Sequence, residues 1–403
     1  MKPKVIRAAY CVLLASLAGC SSLAPLLASP TPDSVSQATP TPQLLPTQTA
    51  VPPAQARILR VWLPARFDPG SSAQSANLLE QRLAEFESSH PGLKIEIRIK
   101  TEEGILHALT VTSNAAPSAL PDLIALSRPD LESAALNGLL HPIDGLTDSL
   151  DDPNWYPYAR ELGHIQNIGY GLPFAGDALV LIHPPELQIL SWEDIFASKE
   201  ATSFPASDPQ SLVALSLYVS AGGKLVNAQG QPTLEEAPLI RVLTLIENGI
   251  RANVFPPTVL NFESYEQSIQ AYRDGRAGLA ITWASNTDDL IHPIPGLDAS
   301  HTFARGWMWA LAGSSPENQQ VAVELAEFLM DQEFLGEWIG ETGYLPTRVT
   351  DDLAEAVILE SARAIPSNDA LAALGPIMNQ ALIRVLNGDQ VEIVVGSVMD
   401  QLR

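Results

Sequence analysis

Histidines and paired carboxylates are the residues of this chain whose side chains could carry acid–base or metal chemistry. The seven histidines never occur four residues apart on a predicted helix, which is the spacing that lets two imidazoles bind one metal ion. Neighbouring aspartates occur in turn-like segments, where carboxylates usually cap a turn or face water. These pairs are Asp151-Asp152, Asp288-Asp289 and Asp351-Asp352. We therefore expect no metal site, no bound cofactor and no catalytic acid–base pair.

Sequence motifs for nucleophilic or phosphate chemistry are also absent from the chain. It contains no Gly-x-Ser-x-Gly elbow, no P-loop and no Gly-x-Gly-x-x-Gly fingerprint. Both cysteines, Cys11 and Cys20, lie within the first twenty residues. The rest of the chain therefore has no thiol for a disulfide, a nucleophile or a metal site, and we expect a protein that is not an enzyme.

Alternating strands and helices are predicted from residue 57 onward. An apolar strand at Ile58–Leu63 precedes a helix at Ala76–Glu87, and the period-two pattern of Leu93–Ile99 indicates a half-buried strand. A helix near Glu102–Thr112 and a buried strand at Asp122–Leu126 follow. Strands that alternate with helices imply right-handed crossovers, so we expect an α/β fold with a mostly parallel sheet.

The second half of the chain repeats this alternation with more helix. Two short apolar strands are predicted, at Leu179–Ile182 and Leu279–Trp283, and a further predicted strand carries Trp307 and Trp309. The main predicted helices are Pro209–Ser220, Leu234–Asn248, Tyr265–Arg273 and Val321–Trp338, a further one beginning at Ser191, and two C-terminal ones divided at Asn387-Gly388.

The size and charge of the chain exclude several classes of partner. It has 403 residues, of which 46% are hydrophobic, and a net charge of −23 from 23 basic and 46 acidic residues. At roughly 150 residues per domain this length suggests two domains or one large one. Nucleic-acid binding and docking on anionic lipid both need clustered Lys and Arg. We therefore expect no nucleic acid and no direct lipid-binding surface.

The first twenty residues have the pattern of an export signal. Lys2, Lys4 and Arg7 precede an apolar run at 8–18 that ends in small residues, as in a secretory signal peptide. The run is shorter than the roughly 20 apolar residues needed to span a bilayer. The sequence Leu-Ala-Gly-Cys at 17–20 resembles the lipobox of bacterial lipoproteins, which implies a signal peptide at 1–19 and a lipidated Cys20. The alternative is a plain signal peptide with an incidental cysteine.

The following segment, 20–56, is expected to be a tether. Between residues 21 and 56 the sequence holds eight prolines, many Ser, Thr and Gln, a single acid and no aromatic residue. Such a composition cannot bury enough apolar surface to fold. At about 3.1 Å per residue in a polyproline conformation, it would reach on the order of 100 Å.

Three segments of the folded part carry motifs that point to one known family. The strongest likeness is at 322–348, where VELAEFL leads to TGYLPTR. The second is AYRDGRAGLAITW at 271–283, and the third is YGLPFAGDALV at 170–180. Weaker agreement comes from Pro-Asp-Leu at 121–123 and Gly-Leu-Leu at 138–140. Together these segments resemble the extracellular solute-binding proteins that feed ABC importers, in particular the sugar-binding type related to maltose-binding protein. The likeness covers residues 57 to 403 in order.

This resemblance implies a two-lobed periplasmic-binding-protein-like fold of type II. Each lobe would be a mostly parallel sheet flanked by helices, with a hinge between the lobes. We place the first lobe at 57–173 and 303–342, and the second at 174–302 and 343–403. The ligand would lie between the lobes, where loops at strand ends converge, and its binding would shift an open–closed equilibrium.

A sugar site needs aromatic rings for the apolar faces of the ligand and planar, charged groups for its hydroxyls. Trp283 occupies the family's Trp position, and Ser127 and Arg128 end a strand at a place that faces the cleft in this fold. For the tryptophans the alternative is core packing, for Arg128 a surface ion pair and for Asp177 the capping of a turn. The ligand-binding candidates are Trp62, Ser127, Arg128, Phe174, Asp177, Trp283, Trp307 and Trp309.

The resemblance therefore implies a solute-binding lipoprotein of an ABC importer, anchored on the extracytoplasmic face of the bacterial cell membrane. Its partners would be a small-molecule ligand, expected to be a sugar or oligosaccharide, and the permease subunits. We expect a monomer that meets the membrane through its lipid anchor only. Two alternatives stay open: the same fold as a receptor for a signalling partner, and a secreted hydrolase on a tether.

Overall fold

Strands and helices alternate along the part of the chain that the structure, a computed structural model, describes: residues 57–313, 315–349 and 353–402. The strands are β1 Arg57–Pro64, β2 Leu93–Lys100, β3 Leu123–Ser127, β4 His164–Ile165, β5 Ile168–Gly169, β6 Gly171–Ile182, β7 Thr202–Ser203, β8 Leu279–Trp283, β9 Ile291–His292, β10 Thr302–Leu311 and β11 Ala362–Ala364. The predicted signal peptide, lipidated Cys20 and tether lie outside the described residues.

Helices flank these strands. They are α1 Gln74–Ser89, α2 Glu102–Ala115, α3 Arg128–Leu136, α4 Pro157–Gly163, α5 Trp192–Ser198, α6 Leu212–Ser220, α7 Glu236–Arg251, α8 Tyr265–Arg273, α9 Pro316–Phe328, α10 Gln332–Gly340, α11 Leu353–Ser361, α12 Asn368–Leu386 and α13 Val391–Gln401. Short 3-10 turns occur at Ala65–Phe67, Pro117–Ala119, Ser149–Asp151, Pro257–Asn261 and Ala284–Asn286.

One sheet runs through most of these strands in the order β2-β1-β3-β10-β6-β8-β7, with β11 beside β10 and β9 beside β6. Strand β1 pairs in parallel with β2 and β3, and β7 pairs in parallel with β8. The two long strands β6 and β10 are antiparallel to each other. Because β10 also pairs with β3 and β6 also pairs with β8, these two strands join the two ends of the sheet.

The side chains bury into two separate hydrophobic cores. The first core includes Leu59 and Ile124, and the second includes Leu243 and Val394. Successive residues of a strand point to opposite faces. In β6 the two faces pack into different cores, because Val180 belongs to the first core and Leu181 to the second. The two-lobed α/β fold expected from the sequence is therefore confirmed, with β6 and β10 crossing between the lobes.

The segment after β10 contributes to both cores in turn. Helices α9, α10 and α11 pack into the first core, whereas α12 and α13 pack into the second. The lobe boundaries given above stay a prediction. Within the described residues no helix is long and apolar enough to cross a membrane.

Candidate ligand-binding cleft

A cleft of about 480 Å³ opens between the two lobes. Side chains from the first lobe, from the second lobe and from the crossing strands β6 and β10 face it. Those with polar or aromatic groups include Arg66, Glu102, Ser127, Arg128, Asp130, Asp177, Asp208, Glu263, Tyr265, Glu266, Trp283, Arg305, Trp307 and Tyr344.

The junction of β3 and α3 supplies part of the first-lobe wall. Ser127 caps α3, and its hydroxyl lies 2.9 Å from a carboxylate oxygen of Asp130. The next residue, Arg128, is 9% exposed and forms an ion pair of 3.0 Å with Glu132 one helical turn later. Burial lowers the pKa of Arg128, and the charge of Glu132 opposes that shift. Its Nε, which is buried, has no hydrogen-bond partner among the described residues.

Arg66, on the turn after β1, supplies a second part of that wall. Its Nε and Nη2 donate to the two carboxylate oxygens of Glu102 at 2.5 and 2.7 Å, and its Nη1 donates to the hydroxyl of Tyr344. Burial works against the charged form, but the bonds to Glu102 and Tyr344 prevail and raise the pKa of Arg66. The guanidinium carbon lies 5.2 Å from the centroid of the Trp307 ring.

The crossing strands meet the second lobe at Asp177. Its Oδ1 accepts the backbone N–H of Ser285 at 3.0 Å, and its Oδ2 accepts the Ser285 hydroxyl at 2.7 Å. The same Oδ2 accepts Nε of Arg305 at 3.1 Å and lies 3.0 Å from its Nη2. Burial raises the pKa of Asp177, while the charge of Arg305 and the donors of Ser285 act in the opposite direction.

The end of β8 brings Trp283 to the same place. The guanidinium carbon of Arg305 lies 4.1 Å from the centroid of the Trp283 ring, and Tyr265 packs on that ring at 5.3 Å. Only 3% of Trp283 is exposed as a result. Arg305 therefore covers the ring of Trp283, which was predicted from the sequence to contact the ligand.

The second-lobe wall is built on the starts of α6 and α8. Ser264 and Gln267 form a capping box that starts α8 and places Tyr265 at the cleft. The Tyr265 hydroxyl donates to Asp208 at 3.4 Å, and Asp208 also accepts the backbone N–H of Gln210 at 2.9 Å. Burial raises the pKa of Asp208, and these hydrogen bonds oppose the shift.

The structure brings five of the eight predicted ligand-binding residues to the cleft: Ser127, Arg128, Asp177, Trp283 and Trp307. Their role in binding a ligand stays a prediction.

The other three predicted residues, Trp62, Phe174 and Trp309, lie in the first core. The Trp62 ring has the Lys100 ammonium 4.4 Å from its centroid, and Phe174 and Trp309 stack on each other at 4.5 Å. Trp307 also belongs to the first core, but of the two tryptophans of β10 it is the one that lines the cleft. The burial of Trp62, Phe174 and Trp309 in the core leaves the prediction that they bind ligand untested.

Sequence reasoning missed Arg66, Asp208, Tyr265, Arg305 and Tyr344. Two of them carried a signal: Arg305 is two residues before Trp307 on the same strand, and Tyr344 lies inside the TGYLPTR segment. Arg66 and Asp208 lie in a turn and a loop, where no periodicity marks a side chain as facing a cleft.

Charged, hydrogen-bonding and aromatic side chains from both lobes face this cleft. Its carboxylates Asp177 and Glu102 hold arginines in place, and no histidine is among the residues that line it in the described chain. Across residues 57–313, 315–349 and 353–402, no group of three or more His, Asp or Glu side chains is placed to hold a metal ion. Hydrogen-bonding groups and aromatic rings from two lobes thus surround a space large enough for a small molecule.

A two-lobed α/β fold with such a cleft defines a class of solute-binding proteins. Residues 81–366 match the family described as bacterial extracellular solute-binding protein. This match covers more than half of the chain, so the chain belongs to that family, whose members act outside the cytoplasm. No curated protein matches the chain.

Solved structures of binding proteins share the fold. The cyclic alpha-maltosyl-1,6-maltose binding protein of Arthrobacter globiformis superposes with a TM-score of 0.70 at 15% identity, over 86% of this chain and 97% of that one. The sugar-binding protein MalE of Xanthomonas citri gives 0.70 at 17% identity, over 86% and 96%. An ABC transporter solute-binding protein of Thermotoga lettingae bound with alpha-D-tagatose gives 0.61 at 17% identity, over 86% and 100%.

Proposed function

We propose that this protein is the solute-binding lipoprotein of an ABC importer and that it binds a carbohydrate between its lobes. The observation that carries this proposal is the cleft of about 480 Å³ to which both lobes contribute carboxylates and aromatic rings, while the first lobe and β10 contribute arginines. Guanidinium and carboxylate groups suit sugar hydroxyls, and aromatic rings suit the apolar faces of a sugar.

The names of structurally similar proteins support a carbohydrate ligand. They include binding proteins for a cyclic maltosyl-maltose, for maltodextrins and for alpha-D-tagatose. In this chain we propose that Ser127, Arg128 and Trp307 lie around the ligand, because all three line the cleft, whereas Trp283 lies behind Arg305.

Delivery of the solute would depend on closure of the lobes about the crossing strands β6 and β10. A ligand that touches both lobes only in the closed form shifts the equilibrium toward that form. The closed form would then dock on the permease and release the solute. No step of this cycle requires catalysis by the binding protein.

The anchor would be the lipid on Cys20, with residues 21–56 as the tether between the membrane and the folded part. A monomer held in this way remains close to the permease, which raises the effective concentration of one partner at the other. The import role and the anchor are separate parts of the proposal and can be tested separately.

A thermal-shift screen against sugars, polyols, amino acids and peptides tests the ligand class. A ligand at 100-fold its Kd stabilises the folded state by about 2.7 kcal/mol, which is a clear rise in melting temperature. We expect stabilisation by one or more saccharides. A response to amino acids or peptides with none to any saccharide would remove the carbohydrate assignment and leave the solute-binding fold.

A further inference from the structure

Asp177 and Arg305 form an ion pair in which only the arginine is open to the cleft. Resting on the proposed function, we infer that Arg305 contacts the bound carbohydrate and helps to set its specificity, and that Asp177 is a positioning residue that holds Arg305 in place. This reverses the expectation from the sequence, in which Asp177 itself binds the ligand.

Asp177 is buried and already has several donors around it. Its two oxygens already accept the Ser285 N–H, the Ser285 hydroxyl and the Nε of Arg305, and its side chain is 1% exposed. With the side chain 1% exposed, a ligand hydroxyl could reach this carboxylate only if the groups that bury it, Ser285 and Arg305 among them, moved aside. Three elements would lose their common anchor: β6, the turn after β8, and β10.

Arg305 has the opposite character. Its side chain is 39% exposed, and Nε and Nη2 face Asp177. The Nη1 group is not used in that pair and is available to a ligand oxygen. Because the guanidinium lies 4.1 Å from the centroid of the Trp283 ring, its plane is fixed on one side by an aromatic ring and on its edge by a carboxylate. Such fixation lowers the entropy lost when a ligand binds.

The consequence concerns the kind of contact that this part of the cleft makes. With Trp283 covered by Arg305 and Tyr265, a sugar meets an N–H donor here rather than a bare indole. The contact therefore goes to an oxygen acceptor of the saccharide, a ring or hydroxyl oxygen. Lysine cannot replace the residue, since a point charge on a flexible stem neither stacks flat nor pairs with Asp177 through two nitrogens.

A double-mutant cycle tests both halves of the inference. The probe is the tightest-binding member of a panel of maltose, maltotriose, maltotetraose and cellobiose, measured by isothermal titration calorimetry. Asp177→Asn, Arg305→Gln, Arg305→Lys and the double variant Asp177→Asn/Arg305→Gln are compared with the unchanged protein. We expect each of the first three to weaken binding at least 10-fold. The double variant should bind no more than 3-fold more weakly than Arg305→Gln alone.

The alternatives give different results. If Asp177 touches the ligand directly, its loss will weaken binding as much in the Arg305→Gln background as in the unchanged protein, which overturns its positioning role. If Arg305→Gln binds as tightly as the unchanged protein, Arg305 is not a ligand contact and the inference is wrong. The proposed function is not affected by that result. If no saccharide in the panel or in the wider screen binds, both fall together.

Two further variants serve as a replacement and as a control in this test. If Asp177→Asn does not fold, Ser285→Ala takes its place in the cycle, because it removes one hydrogen-bond donor from Asp177. Alone, Ser285→Ala should weaken binding less than Asp177→Asn would. Combined with Arg305→Gln, it should not weaken binding any further. Arg241→Gln is the matched control: Arg241 pairs with Asp298 at 2.6 Å and does not line the cleft. It should bind the probe like the unchanged protein, so an equal loss in this variant would overturn the assignment of the effect to Arg305.

Discussion

The hydroxyl group of Tyr158 lies directly against Gly176 in the crossing strand β6. The same hydroxyl donates a hydrogen bond of 2.7 Å to the carbonyl of Pro346. Gly176 in turn exchanges backbone hydrogen bonds with Leu345, at 2.8 and 2.7 Å. A methyl group on residue 176 would collide with the Tyr158 hydroxyl and come within 3.0 Å of the Leu345 carbonyl oxygen. The strand that joins the lobes is therefore fitted closely to the loop after α10.

Gly176→Ala should lower the free energy of unfolding by about 1–3 kcal/mol, which is the usual effect of adding a methyl group to a well-packed core. Urea unfolding monitored by circular dichroism measures the loss. In a Tyr158→Phe background the same substitution should cost less, because the hydroxyl that it meets is gone. An equal cost in both backgrounds would contradict this explanation of the glycine.

The ion pair between Arg128 and Glu132 is buried, so removing one partner should lower the free energy of unfolding substantially. Glu132→Gln leaves the Arg128 charge without its counter-ion, while the amide oxygen can still accept the backbone N–H of Asn368, now 3.1 Å from the carboxylate. Breaking a buried pair from one side costs about 3–5 kcal/mol. We expect a loss of unfolding free energy at the lower end of that range in urea melts, because Arg128 lies at the edge of the cleft.

The matched control for this prediction is Glu247→Gln. Glu247 and Arg251 form an ion pair of 2.8 Å at the same helical spacing, on the exposed face of α7. Exposed pairs of this kind contribute about 0.3–0.5 kcal/mol. Similar losses in both variants would show that burial does not decide the strength of the Arg128 pair.

His301 should make the protein less stable in mild acid. Burial, together with the nearby charge of Arg363, lowers the pKa of the His301 imidazole to about 4. The unfolded chain takes up this proton near pH 6.5. Between pH 6.5 and 4 the unfolded state thus binds more protons than the folded state, so stability falls as the pH falls and the loss levels off below pH 4.

Urea unfolding at pH 7 and pH 4.5 measures this effect. At about 1.4 kcal/mol per pKa unit, the His301 contribution to the loss is about 2 kcal/mol. His301→Asn should lose that much less than the unchanged protein over the same interval. His107→Asn, at an exposed position of α2, controls for the removal of one histidine. Parallel curves for the unchanged protein and His301→Asn would refute the assignment.

Local signals explain why much of the fold could be predicted from the sequence. The predicted bounds Tyr265–Arg273 and Leu279–Trp283 coincide with α8 and β8, because Ser264 and Gln267 form a capping box and Gly275, at φ +69°, turns the chain after the helix. The predicted single helix Val321–Trp338 is two helices, α9 and α10. Asp331 accepts the Phe334 N–H and starts the second one, a cap that the apolar period of the segment conceals.

The residues of the candidate site were harder to predict from the sequence than the fold, because contacts between distant residues decide which side chains face the cleft. Period-two alternation places Trp307 and Trp309 on one face of β10, and both pack in the first core. Of the two, Trp307 lines the cleft, and how far a strand residue lies from a cleft leaves no mark in the pattern. The pairing of Arg305 with Asp177 joins residues 128 positions apart. Whether an aromatic ring faces a ligand or an arginine depends on such distant contacts, which no local motif reports.

Cys20→Ser should release the protein from membranes if the lipid on Cys20 is its anchor. A single lipidated cysteine at the start of the mature chain would be the membrane attachment, and serine offers no thiol to modify. After expression in a bacterial host, membrane and soluble fractions are separated and each is probed for the protein. The unchanged protein should be found in the membrane fraction and the Cys20→Ser variant in the soluble fraction or the medium.

The other cysteine of the chain provides the matched control for the anchor. Cys11 lies in the apolar run before the predicted cleavage site, so Cys11→Ser should leave the protein in the membrane fraction. Metabolic labelling with a radioactive fatty acid should mark the unchanged protein and Cys11→Ser but not Cys20→Ser. Retention of Cys20→Ser in membranes without label would show that the protein is held by another attachment, and the lipoprotein part of the proposal would be wrong while the ligand-binding part would stand.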